Sequence, residues 1–152
     1  MTARKSPIRR TTTSPEDAAL AKEFLKGFDP KDFWDNAPDW AYRIWGTQWW
    51  SAQRAFWRSI HDNQLTSMKT CNDIGKTTCA PQIAILYSLA HYPSTVVMLS
   101  ATWDMAKDTL WVRTRNYIST LREMFPSLAE ENGESWQPYG PKVDHSIRIL
   151  SP

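Results

Sequence analysis

An α/β fold built on parallel strands is what this sequence predicts, and three observations predict it. Thr95-Val96-Val97-Met98-Leu99-Ser100 is a continuous apolar run rich in β-branched side chains, the pattern of a strand covered on both faces. Two helix-length stretches flank it, Ile74 to Ala90 before and a stretch beginning at Thr102 after. Leu65 to Cys71 forms a second strand candidate ahead of the first of these helices. Strands alternating with helices are accommodated most economically by a right-handed βαβ unit.

Residues 1–14 carry Arg4, Lys5, Arg9 and Arg10 and no acid, with few apolar side chains, so a disordered basic tail is expected there. Such a tail either touches nucleic acid or a partner, or is simply solvated. The net charge of +2 leaves the other residues near neutral, which excludes a broadly basic surface. Ser14-Pro15-Glu16-Asp17 starts a helix, with a capping hydroxyl, a proline at the first position and acids beside the positive end of the dipole; Gly27 stops it. Asp29-Pro30 and Asn36-Ala37-Pro38 repeat the device, and Gly46 ends the last of these short helices.

From Thr47 to about Asp62 a longer helix is expected, with Trp49, Trp50, Phe56, Trp57 and Ile60 on one face and Gln53 in the middle of it. Large aromatics so spaced either pack a core or form a stacking platform for bases; packing is the expectation. In the helix after Thr102, Ala106, Leu110, Arg113, Tyr117, Leu121 and Met124 mark the inward stripe, which Pro126 breaks. A polar loop through Gly133 follows, then a hairpin over Val143 to Leu150, with Asp144 and His145 near its turn and Ser146 to Leu150 as its return strand.

A length of 152 residues suits one domain able to bury a core without disulfides or metal. Cys71 and Cys79 lack the C-x-x-C spacing of a zinc or redox site and are expected as reduced thiols. No apolar run reaches the length of a membrane span, and no signal peptide is evident.

The chemistry concentrates in Lys69-Thr70-Cys71-Asn72-Asp73-Ile74-Gly75-Lys76-Thr77-Thr78. Gly75-Lys76-Thr77 satisfies the G-K-[ST] core of a phosphate-binding loop (Walker A), although Thr70 stands where that pattern has its first glycine. A strand aims such a loop, its amides turn inward, and the following helix adds positive field at the phosphates. Asn72, Asp73, Ile74, Gly75, Lys76, Thr77 and Thr78 are the candidate nucleotide-binding residues. Backbone amides would hold the phosphates of ATP, Lys76 would reach the β and γ groups, the Thr77 hydroxyl would ligate Mg²⁺, and Thr78 would lie nearer the α-phosphate. Three features work against it: Thr70 brings a Cβ, Pro81 removes a hydrogen bond to Thr77, and Asp73 places a negative charge near the phosphates. The expected architecture is thus a P-loop NTPase-type βαβ core with parallel strands and an incomplete sheet over 47–152, preceded by a helical N-terminal region over 15–46 and the tail over 1–14.

The order of Gln53 on an aromatic helix, then Met68-Lys69-Thr70-Cys71-Asn72-Asp73-Ile74-Gly75-Lys76-Thr77-Thr78, then the stretch from Ser94 to Thr120, resembles the N-terminal ATPase half of the large subunit of tailed-phage terminases. The likeness covers about residues 40 to 152 and extends to Leu99-Ser100-Ala101-Thr102, a small polar motif closing the second strand. It implies that Gln53 reads the adenine edge; the alternative is a structural glutamine bonded to backbone. It implies ATP and Mg²⁺ as ligands, and, through a longer parent, double-stranded DNA, a terminase small subunit and a portal protein as partners. The implied setting is the cytoplasm of an infected bacterial host, with no membrane partner. Some relatives carry an arginine inside the loop, where this sequence has Asn72 and Asp73.

ATP hydrolysis needs an apolar strand ending in a carboxylate that holds Mg²⁺, and a second carboxylate that orients water. None of the apolar runs here ends so: Thr95 to Ser100 leads into Ala-Thr, Ile83 to Ala90 into His91, and Ile147 to Leu150 into Ser-Pro. No catalytic residue is identified, and the chain is expected to be the front part of a motor that binds ATP without turning it over. Two rivals stand beside this reading. A DEAD-box-like helicase front domain also uses an adenine-reading glutamine and a later S-A-T motif, but Ser100-Ala101-Thr102 comes too early for it. A non-catalytic adaptor or assembly module would keep the fold and use its aromatic helices for protein contact.

Overall fold

The computed structural model describes residues 15–69, 75–140 and 144–150. The expected basic tail, residues 1–14, and the loop segment 70–74 lie outside the described residues. Three short helices open the described chain: α1 (Pro15–Phe24), α2 (Pro30–Asp35) and α3 (Ala37–Trp45). Asp29 caps α2 by accepting from the Lys31 amide at 3.0 Å, and Gly46 closes α3 in the left-handed conformation at φ 67°, as the sequence signals predict. Helix α4 (Ser51–Asp62) starts four residues later than expected from Thr47. Trp49 is the reason. Its buried indole donates to Gln82 Oε1 at 2.8 Å, while the Gln82 amide donates to Thr47 Oγ1 at 2.8 Å, and this anchor holds the 47–50 segment outside the helix.

Helix α5 (Lys76–Ala90) is the centre of the molecule. Gln82, Ile85, Leu86, Ser88 and Leu89 are all fully buried, so apolar residues surround it rather than line one stripe. It runs through Pro81, which has no N–H to offer the Thr77 carbonyl. Phe33, Trp49, Trp111, Ile118, Leu121, Phe125 and Trp136 complete the core around it. The tryptophan cluster serves packing: Trp34, Trp40, Trp49 and Trp57 are buried, with Phe33 on Trp40 at 4.5 Å and Trp34 edge-on to Tyr87 at 5.1 Å between ring centroids.

The sheet corrects the sequence expectation. It has four strands in the order β1 (Thr95–Leu99), β4 (Ser146–Leu150), β3 (Ser135–Trp136), β2 (Glu131–Asn132), and it is mixed rather than parallel. Only β1 and β4 are parallel, in the register Val97↔Arg148; β3 is antiparallel to β4 and to β2. The strand expected over Leu65 to Cys71 does not form among its described residues, 65–69, so the βαβ unit expected around α5 is not present there. Leu65-Thr66-Ser67-Met68-Lys69 offers two apolar side chains three residues apart, not an alternating row, and Leu65 is 90% exposed. The expected hairpin over 143–150 is also corrected. Ser146 to Leu150 is a strand, but its neighbours are β1 and β3, and the hairpin is the polar Glu131 to Trp136 stretch turning at Gly133.

The helix after β1 departs from α geometry. Met105–Trp111 is π-helical and Val112–Met124 (α6) is α-helical. The buried positions are Ala106, Trp111, Thr114, Ile118 and Leu121, so Ala106 and Leu121 of the expected stripe hold while burial moves from Leu110, Arg113 and Tyr117 to the residue after each. Ala106 and Trp111 are five apart because a π turn closes on i+5, and from there the α period carries the burial. Arg113 and Met124, expected inside, are therefore outside. Thr102 does cap this helix, accepting from the Met105 amide at 3.2 Å.

Candidate functional site

The N-terminus of α5 is placed by its far end. The helix ends at Ala90, and the segment His91 to Ser94 turns the chain into β1. His145, just before β4, pins this turn: the Ser94 amide donates to its Nδ1 at 2.9 Å, and its Nε2 lies 3.0 Å from Ser88 Oγ. The end of α5 thus sits over the start of both parallel strands, and α5 packs on both. Its start lies toward their carboxyl ends, where open α/β sheets gather their ligands.

Gly75 caps α5 in the left-handed conformation, φ 78° and ψ 22°. Its carbonyl accepts from the Thr78 amide at 3.1 Å, the Cys79 amide at 3.0 Å and Gln53 Nε2 at 3.1 Å. The amides of Lys76 and Thr77 have no acceptor among the described residues, which is the ordinary condition of the first turn of a helix and the source of its anion affinity. Lys76, Thr77 and Thr78 are half-buried. Arg113 reaches the same turn from α6, its Nη1 3.4 Å from Thr78 Oγ1. Neither Lys76 nor Arg113 pairs with a carboxylate among the described residues, so two positive charges and a helix dipole share one end of the molecule.

Gln53, 7% exposed on α4, reaches this turn. Its carboxamide is committed to backbone at both ends: Nε2 to the Gly75 carbonyl, and Oε1 accepting from the Trp50 amide at 3.2 Å. The second contact is half of a capping box, since an indole has no acceptor with which to return it. Among the described residues, one N–H and one lone pair of the amide have no partner. Asn72, Asp73 and Ile74, together with Thr70 and Cys71, lie outside the described residues.

Arg113 is the site residue that sequence reasoning placed elsewhere. An arginine on an otherwise apolar stripe was the available signal, and the π turn is what moves it to the surface. Cys79, one turn into α5, is buried, and burial pushes its thiol pKa up, so it is a packing residue and not a nucleophile. Among the described residues, no group of three His, Cys, Asp or Glu side chains forms a metal site, and no helix is long and apolar enough to cross a membrane. The donors present suit Mg²⁺ only in its phosphate-bridging mode, in which one hydroxyl, phosphate oxygens and waters complete the shell. No family model, no curated protein and no solved structure matches the chain.

Proposed function

We propose that this chain is the N-terminal, ATP-binding part of a viral DNA-packaging terminase large subunit, whose parent uses ATP hydrolysis to move double-stranded DNA into a procapsid. The observation that carries the reading is the first turn of α5. Gly75 in a left-handed cap, the Lys76 and Thr77 amides with no acceptor among the described residues, Lys76, Thr77 and Thr78 share that turn, and Arg113 reaches it at Thr78. In this reading Lys76 holds the β- and γ-phosphates, Thr77 contributes a hydroxyl to Mg²⁺, Thr78 lies toward the α-phosphate, and Arg113 adds charge beside it. Asn72, Asp73 and Ile74 complete the cradle with backbone amides. Gln53 offers its remaining N–H and lone pair to an adenine edge. The chain binds ATP weakly and does not hydrolyse it, because none of its apolar runs ends in the carboxylate pair that hydrolysis needs.

One observation favours the non-catalytic adaptor instead. The Gln53 amide already bonds the Gly75 carbonyl and the Trp50 amide, contacts that need no nucleotide. Calorimetric titration of the full chain with Mg-ATP separates the two. The motor reading predicts saturable binding that weakens about tenfold or more in Lys76→Ala, the loss of one charge-assisted phosphate contact, with no phosphate release. Absence of binding, or equal binding by Lys76→Ala, overturns it in favour of the adaptor. Phosphate release that disappears with Lys76→Ala overturns the claim of inactivity.

A further inference from the structure

The chain has nine tryptophans, and eight of them are buried or half-buried. Trp50 is the exception, at 49% exposed. The packing role that the fold gives to its neighbours Trp49 and Trp57 therefore leaves this ring without a structural reason.

The backbone that carries the ring is held firmly. The Trp50 amide donates to Gln53 Oε1 at 3.2 Å, and the Trp50 carbonyl accepts from the Arg54 amide at 3.0 Å. In the peptide group before it, the Trp49 carbonyl accepts from Arg54 Nε at 2.8 Å, and the Trp49 indole is anchored in the core on Gln82. Every backbone hydrogen-bonding group from the Trp49 carbonyl to the Trp50 carbonyl is thus engaged, which fixes where the indole leaves the chain. A large planar ring presented from a fixed point loses little freedom on meeting a ligand.

This segment is joined to the first turn of α5. The carboxamide that accepts from the Trp50 amide is the one whose Nε2 donates to the Gly75 carbonyl at 3.1 Å, so a single side chain spans from Trp50 to the glycine that caps the helix. Two hydrogen bonds and one amide group make that span less than about 10 Å. Gln53 is 7% exposed and keeps one N–H and one lone pair with no partner among the described residues, and a buried polar group in that condition calls for an occupant.

We infer, resting on the reading of the α5 turn as a nucleotide site, that Trp50 is the stacking surface for the base of the bound nucleotide. The ribose and phosphate that separate a base from the phosphates held by Lys76 cover a distance of the same order as the Gln53 bridge. Trp50 then covers the face of the base, and Gln53 meets its edge. Every base has a π face, so the affinity that Trp50 supplies is shared by adenine and guanine nucleotides, and only Gln53 tells them apart. A nucleic-acid strand also offers bases, but holding one takes successive rings along a basic groove. Trp50 is the single exposed indole, and Arg54 beside it has its Nε engaged by the Trp49 carbonyl.

Calorimetric titration of the full chain with Mg-ATP and, separately, with Mg-tripolyphosphate, which has the phosphates and no base, tests the inference. Trp50→Ala is expected to weaken Mg-ATP about tenfold or more, and Mg-GTP by a similar factor, while tripolyphosphate binding holds within about twofold and shows that the variant is folded. Trp50→Phe keeps a π face and is expected to recover most of the loss. Mg-ATP is expected to quench tryptophan fluorescence in the unaltered chain and to lose that effect in Trp50→Phe. Equal weakening of ATP and tripolyphosphate, no weakening of ATP, or a loss that Trp50→Phe does not recover overturns the inference and leaves the phosphate cradle standing. If the unaltered chain binds neither ligand, the reading of the α5 turn falls and the inference falls with it. Quenching by a single-stranded oligonucleotide that Mg-ATP does not displace assigns the ring to nucleic acid and likewise overturns the inference.

Discussion

Gly75 shows how much of the candidate site rests on one backbone conformation. At φ 78° a Cβ is strained, and at this position it would also collide with Gln53 Nε2. Glycine thus permits two things together: the sharp turn into α5, and the approach of the Gln53 amide to the carbonyl that caps it. Gly75→Ala is expected to lower stability by about 1–3 kcal/mol, the left-handed penalty plus displacement of a buried amide, measured by urea denaturation. A loss below about 0.5 kcal/mol, the level of an ordinary surface substitution, would show that the cap relaxes without cost. The turn into a helix at Gly75 was legible in the sequence because a glycine ahead of a helix-length stretch signals it. The commitment of Gln53 to backbone was legible only as one of two alternatives, since a polar residue on an apolar face signals that partners exist without saying which.

Among the elements, the junction of α5, β1 and β4 is tied by His145. It is 1% exposed, lies among Tyr92 and Tyr139 with ring centroids at 5.0 Å, and accepts from the Ser94 amide at Nδ1, which leaves Nε2 to carry the proton toward Ser88. Burial pushes its pKa down to about 4, from an ordinary value of 6.5. Between pH 6.5 and about 4 the unfolded chain takes up a proton that the folded chain refuses, so stability falls as pH falls through that window, by roughly 3 kcal/mol in total. Above 6.5 the contribution is constant. His61 acts with the opposite sign. Its ring bonds Asp62 at 2.7 Å and Asp35 at 3.3 Å, chiefly the first raising its pKa, so its contribution is present below 6.5 and is lost as pH rises through the raised value. Denaturation of the protein and of His145→Gln at pH 7 and at acid pH isolates the His145 part: the difference in stability between them is expected to shrink toward pH 4. A difference independent of pH would refute the assignment. The sequence marked β1 correctly by its β-branched run, and β4 correctly as a strand though with the wrong neighbours. It misjudged the helix after β1 because a period of 3.6 was assumed throughout, and one π segment was enough to turn Arg113 outward. It misjudged Leu65 to Lys69 because the expectation came from the loop that follows, not from those residues.

At the scale of the molecule, among the described residues, β1 pairs on one side only and leaves Val97 and Leu99 exposed. The arrangement as a two-strand parallel pair extended by a hairpin was not legible, because register and neighbour order come from long-range packing, here of α5 and the π segment against β4. The helical N-terminal region was largely legible, since its signals are local: Asp29, Pro30, Pro38 and Gly46 each act within one turn, whereas Asn36 stands at the start of α3 without a side-chain cap bond and donates to Asp32 instead. What unites the scales is the claim that the first turn of α5 is an anion cradle for a nucleotide. Backbone amide resonances report on it directly, in a titration of labelled chain with Mg-ATP. The Lys76 and Thr77 amides are expected to shift saturably, with Arg113 Nε following and the Val96 and Met98 amides still. If those two amides hold their positions at saturating Mg-ATP, or shift equally with sulfate at the same ionic strength, the α5 terminus is not a nucleotide site.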